Sequence, residues 1–333
     1  MMAKLHRISL GKETFHARSG QLLLDAALVS GVELPHDCRA GRCGSCLTHV
    51  RQGITLGGEA RQRGVVHACQ ARVFSDLALE IEPLPPVTRT KANIEQLVPL
   101  AHDIVEVTLM PERPLEILPG QYCRFGFRGF PARPFSPTAA LTSIVSGGRV
   151  RLNIKQVRDG RVTPQLGRSI GPGHMVVVEG PFGHAFLRPQ QANRLILIGS
   201  GTGFAPVWAV AAAALCENPL RPIVLMAVSR KSAGFYMAPA LALAHQFRNV
   251  SVIAAIEELT RPHGRILAGS ASQYLPPISA DDIVYAAGAL ALVDSIGERA
   301  DTAGATFHAD PFEPTARPSP GWLDLARGWL KAG

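Results

Sequence analysis

Three cysteines lie close together near the N-terminus, and a fourth follows them further along the chain. Four residues separate Cys38 from Cys43, two separate Cys43 from Cys46, and Cys69 is the distant fourth. This C-x4-C-x2-C…C spacing is typical of a plant-type [2Fe–2S] cluster held by four thiolates. Small residues between the cysteines, such as Gly41, let the backbone approach the inorganic sulfides closely. The spacing therefore predicts a loop that carries single electrons.

A structural zinc site is the alternative, because it also takes four cysteines. Zinc sites usually draw their cysteines from two short C-x2-C pairs, and this chain has only one, formed by Cys43 and Cys46. The spacing favours iron–sulfur. Only Cys123 and Cys216 remain, and two cysteines are too few for a disulfide framework. The absence of such a framework is what we expect of a protein in the reducing cytoplasm.

The bulk properties bound the function class. A chain of 333 residues predicts two or three domains, and 47% hydrophobic with 18% charged residues is ordinary for a globular protein. Residues 1–20 have no apolar signal core, and glycines with Pro206 interrupt the longest apolar stretch, 195–216, so we expect neither secretion by that route nor a membrane span. The net charge of +8 is scattered, which disfavours nucleic acid and is compatible with an acidic protein partner.

The cysteine loop needs a scaffold, which the pattern places in residues 1–88. The predicted elements are a hairpin at 5–10 and 14–17, a helix at 21–30 and a last strand at 77–81. With the cysteines, this compact α+β unit resembles the plant-type ferredoxin β-grasp fold. Pro83, Pro85 and Pro86 then predict a stiff linker and a domain boundary.

Residues 89–188 contain short strand-like segments separated by turns, which predict an antiparallel β-barrel. The segments are 104–109, 121–127, 150–157 and 175–179. Among them lies Arg133-Pro134-Phe135-Ser136. A guanidinium fork binds phosphate well, and an aromatic ring stacks on a flat heterocycle.

This tetrapeptide resembles the Arg-x-aromatic-Ser/Thr signature of the ferredoxin–NADP reductase superfamily. The resemblance implies bound FAD, with Arg133 at the pyrophosphate and Phe135 and Ser136 at the isoalloxazine. Segments 118–122 and 180–183 also match the superfamily pattern. The resemblance further implies flavin and phosphate contacts from Asn153, Ile154, Lys155, Gly160, Arg161, Val162 and Thr163.

Residues 189–312 change to alternating apolar strands and helical segments, which predict a doubly wound parallel sheet. The expected strands are 195–198, 223–228, 250–256 and 283–286. After the first strand comes a glycine-rich turn into a helix, where exposed amides suit a pyrophosphate. The turn resembles the superfamily's nicotinamide-nucleotide loop through Gly199, Gly201, Thr202, Gly203 and Pro206. A turn whose glycines serve only helix packing is the alternative.

The end of the second strand bears on the choice between NADPH and NADH. Ser229 and Arg230, with Tyr236 shortly after and no carboxylate nearby in the sequence, resemble the set that grips the 2′-phosphate in NADPH-using members. The alternative is that Arg230 stacks on adenine or faces water, as in NADH-using relatives. Ala287-Gly288 stands where relatives have Cys-Gly, so we expect the turn to keep its shape and to position the nicotinamide less well.

Together these blocks resemble the reductase components of bacterial Rieske-type aromatic-ring dioxygenases, of the benzoate, naphthalene and terephthalate type with FAD and an N-terminal cluster. Segment 307–312 looks most like the terephthalate type. The resemblance implies a cytoplasmic oxidoreductase that passes electrons from NAD(P)H through FAD and the cluster to a partner oxygenase, with no nucleic acid or membrane partner. No catalytic side chain is expected, because the flavin carries the chemistry.

Other functions stay open at this stage. They are a reductase for a diiron monooxygenase or for deoxysugar dehydration, and a non-enzymatic ferredoxin-like carrier. The tail, 313–333, has Trp322, Leu325, Trp329 and Leu330 at helical spacing. We expect a short helix there that packs on its own chain, with docking of a partner as the alternative.

Overall fold

The computed structural model describes residues 4–143, 148–189 and 191–312, so the predicted tail helix lies outside the described residues. The first unit is a five-stranded sheet of order β2-β1-β7-β3-β5, with one helix and a two-stranded β4-β6 ribbon. Its elements are β1 (Leu5–Leu10), β2 (Glu13–Arg18), α1 (Leu23–Val29), β3 (Leu47–Gln52), β4 (Thr55–Leu56), β5 (Val65–His67), β6 (Arg72–Val73) and β7 (Leu77–Glu80). The predicted hairpin and helix are confirmed. Leu23, Leu24 and Ala27 on α1 are completely buried against this sheet, so the helix face and the cysteine loop after it are fixed by the same core.

The second unit is an antiparallel, barrel-like sheet of order β11-β10-β13-β8-β9-β12. Its strands are β8 (Thr88–Ala101), β9 (Ile104–Pro111), β10 (Tyr122–Phe127), β11 (Arg133–Phe135), β12 (Val150–Lys155) and β13 (Met175–Phe182). A bridge between Thr138 and Arg151 brings the segment after β11 beside β12, so the two edges of the sheet approach each other. Phe125, Leu152 and Val178 fill the interior.

The third unit is a six-stranded parallel sheet of order β17-β16-β15-β14-β18-β19. Its elements are β14 (Leu195–Ser200), α2 (Phe204–Glu217), β15 (Ile223–Ser229), α3 (Ala238–Ala244), β16 (Val250–Ile256), β17 (Ile266–Ala268), α4 (Ala271–Tyr274), β18 (Ile283–Ala289), α5 (Leu290–Ala303) and β19 (Thr306–Phe312). The central strand β14 comes first in the sequence of this unit, and later strands are added on both sides of it. Sheets of this kind bind ligands at the point where the strand order reverses. The predicted doubly wound parallel sheet is confirmed.

Eight strands of the structure were not predicted: β3, β4, β5 and β6 in the first unit, β8 and β11 in the second, and β17 and β19 in the third. In β8 the inward residues Thr90 and Ala92 are small or polar, so the strand's alternation of buried and exposed positions has little hydrophobic contrast. The edge strand β19 contains Pro311, which is tolerated at a sheet edge, and β17 has only three residues. Within the described residues, no helix is long and apolar enough to cross a membrane.

Candidate cofactor-binding sites

The loop between α1 and β3 and the segment after β5 bring the four cysteines together as two pairs. The Sγ atoms of the buried Cys46 and Cys69 lie 3.4 Å apart, much further than a disulfide bond. Cys38 pairs with Cys43 through their side chains. Two thiolates on each of two irons is the arrangement that a [2Fe–2S] cluster requires, so the residues present fit that group.

The surroundings of the individual sulfurs differ, and within the first pair the pKa of Cys38 is lowered while that of Cys43 is raised. A hydrogen bond from the Cys43 thiol lowers the pKa of Cys38 to about 4, helped by the backbone N–H groups of Cys43 and Ala40, each 3.4 Å from Cys38 Sγ. Burial raises the pKa of Cys46 to about 12. Cys46 therefore becomes a thiolate only with the positive charge of iron beside it.

The glycines of the loop have a role that the spacing alone did not indicate. Gly44 has φ +72°, and a Cβ atom there would lie 3.1 Å from His184 Cβ in the segment after β13. Gly41 has φ +71°, and its Cβ would lie 2.9 Å from Gln70 Cγ. Both positions favour glycine because of the left-handed backbone and the close packing, in addition to any approach to sulfide.

The predicted flavin motif forms β11 and continues into Ser136. Its strand pairs with β10, so that Arg133 lies opposite Phe125 and Phe135 lies opposite Cys123. Among the described residues, the Arg133 guanidinium donates one hydrogen bond, to the carbonyl oxygen of Ala132 at 3.0 Å. The guanidinium is therefore free to bind a phosphate. Pro134 is exposed, and the Phe135 ring is partly exposed, as a ring that stacks on a ligand must be.

A buried amide beside this motif also fits a flavin. Asn153 on β12 is 5% exposed. The Tyr236 hydroxyl interacts with its amide, but among the described residues no contact of either amide atom meets hydrogen-bond geometry. A buried polar group without a partner is costly, and the polar edge of a flavin ring would supply one. Ile154 points into the barrel core, and Lys155 Nζ lies 3.4 Å from Asp103.

The predicted phosphate segment forms a turn. Gly160 N–H bonds to the Val157 carbonyl, and a short 3₁₀ turn starts at Thr163, whose hydroxyl accepts the Val157 N–H at 2.9 Å. Arg161 is exposed beside the buried Val162. Pro164 has no N–H group, and the Gln165 N–H donates to the Val162 carbonyl, so the contribution of this turn's backbone to a phosphate is limited to the Thr163 N–H.

Asp310 is a site residue that the sequence pattern did not single out. It lies on β19 of the parallel sheet, and its Oδ2 accepts a hydrogen bond from Ser136 Oγ at 3.0 Å, across 174 residues of sequence. Burial raises the pKa of Asp310 to about 6, although the hydrogen bond from Ser136 lowers it. The flavin motif and the third unit therefore share a carboxyl group that titrates near neutrality.

The glycine-rich loop follows β14 as predicted, with a 3₁₀ turn at Gly201–Gly203 before α2 and Pro206 in the first turn of that helix. Gly199 and Gly203 are needed for packing, because a Cβ on either would collide with the backbone of Phe204 or of Ala287. Gly201 differs: it has φ +55° and open space around its missing side chain. The loop thus serves packing at its ends and leaves its middle, with Thr202, open to a nucleotide.

The predicted 2′-phosphate set is only partly brought together. Arg230 is 79% exposed, and Nε donates to Glu258 Oε1 at 2.8 Å, so a carboxylate absent from the local sequence is present in space. Lys231 Nζ lies 3.7 Å from the same carboxylate. Ser229 is buried and donates to the Lys231 carbonyl.

Tyr236 lies elsewhere than predicted. It is 3% exposed, packs edge-on against Phe204, and its hydroxyl lies 3.4 Å from the Gly201 carbonyl oxygen. The reason is its position in the apolar run 235–237, which packs into the core instead of continuing along the surface from Arg230. Tyr236 therefore supports the glycine-rich loop from behind.

The turn at the end of β18 contacts that loop directly. Ala287 pairs with Gly199 across the sheet, and Gly288 has φ +114° with its missing Cβ directed at Ser200. The Ser200 hydroxyl accepts the Ala289 N–H at 2.9 Å. Ala287 borders a small void shared with Pro206 and Asp310, so the turn keeps the small shape expected for it.

A polar cluster at the linker joins the three sheets and was not predicted. Arg188 donates to both carboxylate oxygens of Glu82, at 2.8 and 2.7 Å, and His184 Nε2 lies 2.7 Å from Glu82 Oε2. Burial alone would raise the pKa of Glu82, but these partners outweigh burial and lower it to about 2. Arg188 also lies 3.1 Å from the ring of His308 on β19. Residues more than 100 positions apart along the chain form this contact, so local patterns could not reveal it.

Comparison with known proteins identifies the domain families of the first two units. Residues 8–74 match the 2Fe-2S iron-sulfur cluster binding domain, and residues 93–186 match the oxidoreductase FAD-binding domain. A ferredoxin–NAD(P)+ reductase of Metapseudomonas resinovorans is 31% identical over 230 residues, which cover 64% of this chain and 69% of that protein. The reductase component of the naphthalene 1,2-dioxygenase/salicylate 5-hydroxylase systems of Ralstonia sp. is 28% identical, over 90% of this chain and 96% of that one. The crystal structure of the Amycolatopsis cytochrome P450 reductase GcoB superposes with a TM-score of 0.69 at 24% identity, over 93% and 100% of the two chains.

Fold and cofactor domains together define an iron–sulfur flavoprotein reductase. The chain belongs to the family of ferredoxin–NAD(P)+ reductases that serve as reductase components of oxygenase systems. It is an oxidoreductase that uses NAD(P)H, FAD and a [2Fe–2S] cluster, which excludes a non-enzymatic carrier.

Proposed function

We propose that this chain passes electrons from NADPH through FAD and its [2Fe–2S] cluster to a Rieske-type aromatic-ring-hydroxylating dioxygenase. The observation that carries the proposal is the contact of the cysteine loop with the barrel, where Gly183 N–H donates to Ser45 Oγ at 2.9 Å in a buried position. Ser45 Oγ is itself 3.4 Å from Cys43 Sγ, so a cluster ligand lies one side chain away from the flavin-binding unit. Bound FAD accepts the two electrons of a hydride and releases them singly, which matches a one-electron cluster.

The proposed domain boundaries follow the sheets. Residues 1–88 carry the cluster, 89–188 bind FAD, 189–312 bind the nicotinamide nucleotide, and 313–333 form the tail. The segment with Pro83, Pro85 and Pro86 has no regular secondary structure between β7 and β8, which supports a boundary there.

The residue roles in the proposal divide by unit. Cys38, Cys43, Cys46 and Cys69 hold the cluster. Arg133 binds the FAD pyrophosphate, with the turn at 160–163 beside it, and Phe135, Ser136 and Asn153 face the isoalloxazine. Gly201 and Thr202 present the loop to the pyrophosphate of the nicotinamide nucleotide, while Gly199, Gly203 and Tyr236 hold the loop in place. Ala287 and Gly288 lie beside the nicotinamide. None of these side chains has to move a proton for hydride transfer.

The Rieske-type partner is supported by the order of the units, with the cluster first, and by the relative from a naphthalene dioxygenase system. The cysteine content fits a cytoplasmic enzyme. The test is NADPH-driven reduction, under anaerobic conditions, of a purified Rieske dioxygenase and of a purified diiron hydroxylase. We expect faster reduction of the Rieske centre. Faster reduction of the diiron protein would transfer the assignment to the monooxygenase systems.

The preference for NADPH depends on Arg230 and Lys231, the exposed cations at the end of β15. Glu258 pairs with both, so a 2′-phosphate would have to displace that carboxylate. Arg230→Ala should lower kcat/KM for NADPH and leave kcat/KM for NADH unchanged. Glu258→Gln is the matched variant and should raise kcat/KM for NADPH. A wild type that prefers NADH, with no change in Arg230→Ala, would contradict the assignment.

A further inference from the structure

A carboxylate joins the cysteine loop to the barrel, in addition to the Ser45–Gly183 hydrogen bond. Asp37 precedes the proposed ligand Cys38, and its side chain is only 8% exposed. Its Oδ2 accepts a hydrogen bond from the Tyr122 hydroxyl at 2.5 Å, and its Oδ1 forms an ion pair with the Arg124 guanidinium. Both partners belong to β10 of the second unit, 85 or more positions along the chain. This contact is therefore a charged clamp between two folding units, on the residue next to the cluster.

The strand that receives the clamp is also the neighbour of the flavin motif. Cys123, between the two clamp residues, pairs with Phe135, and Arg124 pairs with Pro134. The side chains of Tyr122 and Arg124 face the cysteine loop, whereas Cys123 is buried in the barrel core. Arg124 thus contacts the cluster loop through its side chain and lies opposite the flavin motif in the sheet, with Tyr122 two positions before it on the same strand.

The partner side chains are themselves held in place. The Tyr122 and Phe182 rings have centroids 5.7 Å apart, and the Arg124 guanidinium carbon lies 5.6 Å from the Phe182 centroid. A carboxylate with two partners of fixed position sets both the distance and the orientation of the loop that carries it. The Ser45–Gly183 hydrogen bond fixes a second point of the same loop.

We propose that Asp37 is a positioning residue for electron transfer from the flavin to the cluster, acting through Tyr122 and Arg124. The inference rests on the proposed relay. In the step concerned, reduced FAD loses one electron and the cluster gains it, while the Asp37 carboxylate is neither oxidised nor reduced. Its function is to hold the cluster at the distance from β11 that makes this step fast.

The test uses the full-length protein loaded with FAD and cluster, mixed anaerobically with NADPH in a stopped-flow instrument. In Asp37→Asn the flavin should bleach at the wild-type rate, while the cluster absorption should fall about tenfold more slowly or worse, because small misplacements of reacting groups have large effects on rate. Ferricyanide reduction, which takes electrons from the flavin, should keep its kcat. The reduction potential of the cluster in Asp37→Asn distinguishes an effect of cluster position from an effect of charge. Loss of a negative charge makes the cluster easier to reduce, and that change alone would speed the step.

Two further variants make the result decisive. Tyr122→Phe changes no residue of the cluster domain, although it also removes an interaction of the hydroxyl with Cys43, and it should slow the same step. The double variant should slow the step by less than the two single effects combined, because the carboxylate and the hydroxyl share one hydrogen bond. Asp25→Asn is the matched control, since it removes a carboxylate that pairs with Arg39 of the same loop but contacts no barrel residue in the pairs described.

The proposal is overturned if Asp37→Asn and Tyr122→Phe reduce the cluster at the wild-type rate, or if Asp25→Asn slows the step equally. Should Asp37→Asn fail to assemble a cluster, Tyr122→Phe alone decides. A wild type in which NADPH bleaches the flavin without reducing the cluster is a different outcome, and it would contradict the relay itself.

Discussion

Replacement of Arg133 by alanine isolates one proposed flavin contact. Among the described residues the guanidinium donates only to the neighbouring Ala132 carbonyl, so its removal breaks no hydrogen bond between the secondary-structure elements described above. The fold should therefore be preserved, and the effect should appear in flavin binding. A hydrogen bond to a charged group contributes about 1.5–3 kcal/mol, which corresponds to a Kd for FAD raised roughly 10- to 150-fold.

The assay is a titration of flavin-free protein with FAD, followed by flavin fluorescence. Arg133→Lys keeps the charge but loses the planar fork, so its Kd should fall between wild type and Arg133→Ala. Arg89→Ala is the control, because Arg89 is an exposed arginine on β8, in the same sheet but away from β11. An unchanged Kd in Arg133→Ala, or an equal loss in Arg89→Ala, would refute the reasoning. Release of FMN on denaturation would refute FAD as the cofactor.

Three other predictions concern the cluster, Asp310 and Ala287. Cys43→Ser should remove most of the red-brown colour and leave NADPH-driven ferricyanide reduction intact; zinc in anaerobically isolated wild type would contradict it. The pKa of Asp310 is raised from 3.8 to about 6, so the folded state binds the proton more tightly. The free energy of unfolding from this group therefore falls as pH rises from about 4 to about 6, by at most about 3 kcal/mol. Asp310→Asn should lose that dependence in urea unfolding followed by tryptophan fluorescence, and an equal slope in both proteins would count against it. Ala287→Cys fills part of the void at β18 and should speed flavin bleaching by NADPH, by up to about tenfold; a slower rate would show that the thiol has no place there.

The sequence predicted those features whose residues lie close together along the chain. The cysteine spacing and the glycine-rich turn lie within one loop each, so their positions followed directly. Strand β8 was missed because Thr90 and Ala92 carry its inward face with little hydrophobicity. The burial of Tyr236 could not be predicted, because it depends on which residues of its loop pack into the core.

The contacts between units could not be predicted at all. The pairs Asp37–Tyr122, Glu82–Arg188 and Ser136–Asp310 join residues 85, 106 and 174 positions apart. Each is a polar contact made only after two units have folded and docked. No periodicity or spacing rule carries information on such pairs, and they are the contacts that set the distance between the proposed cofactor sites.

The central claim is that electrons from NADPH reach the cluster through the flavin of the same chain. The most direct measurement is anaerobic mixing with NADPH, with flavin absorption followed in time and the cluster followed by electron paramagnetic resonance of samples frozen at intervals. The account predicts that flavin bleaching comes first and that a reduced [2Fe–2S] signal of about one spin per chain follows. Cys43→Ser should bleach without giving this signal. Cluster reduction before the flavin, or in flavin-free protein, would contradict the relay.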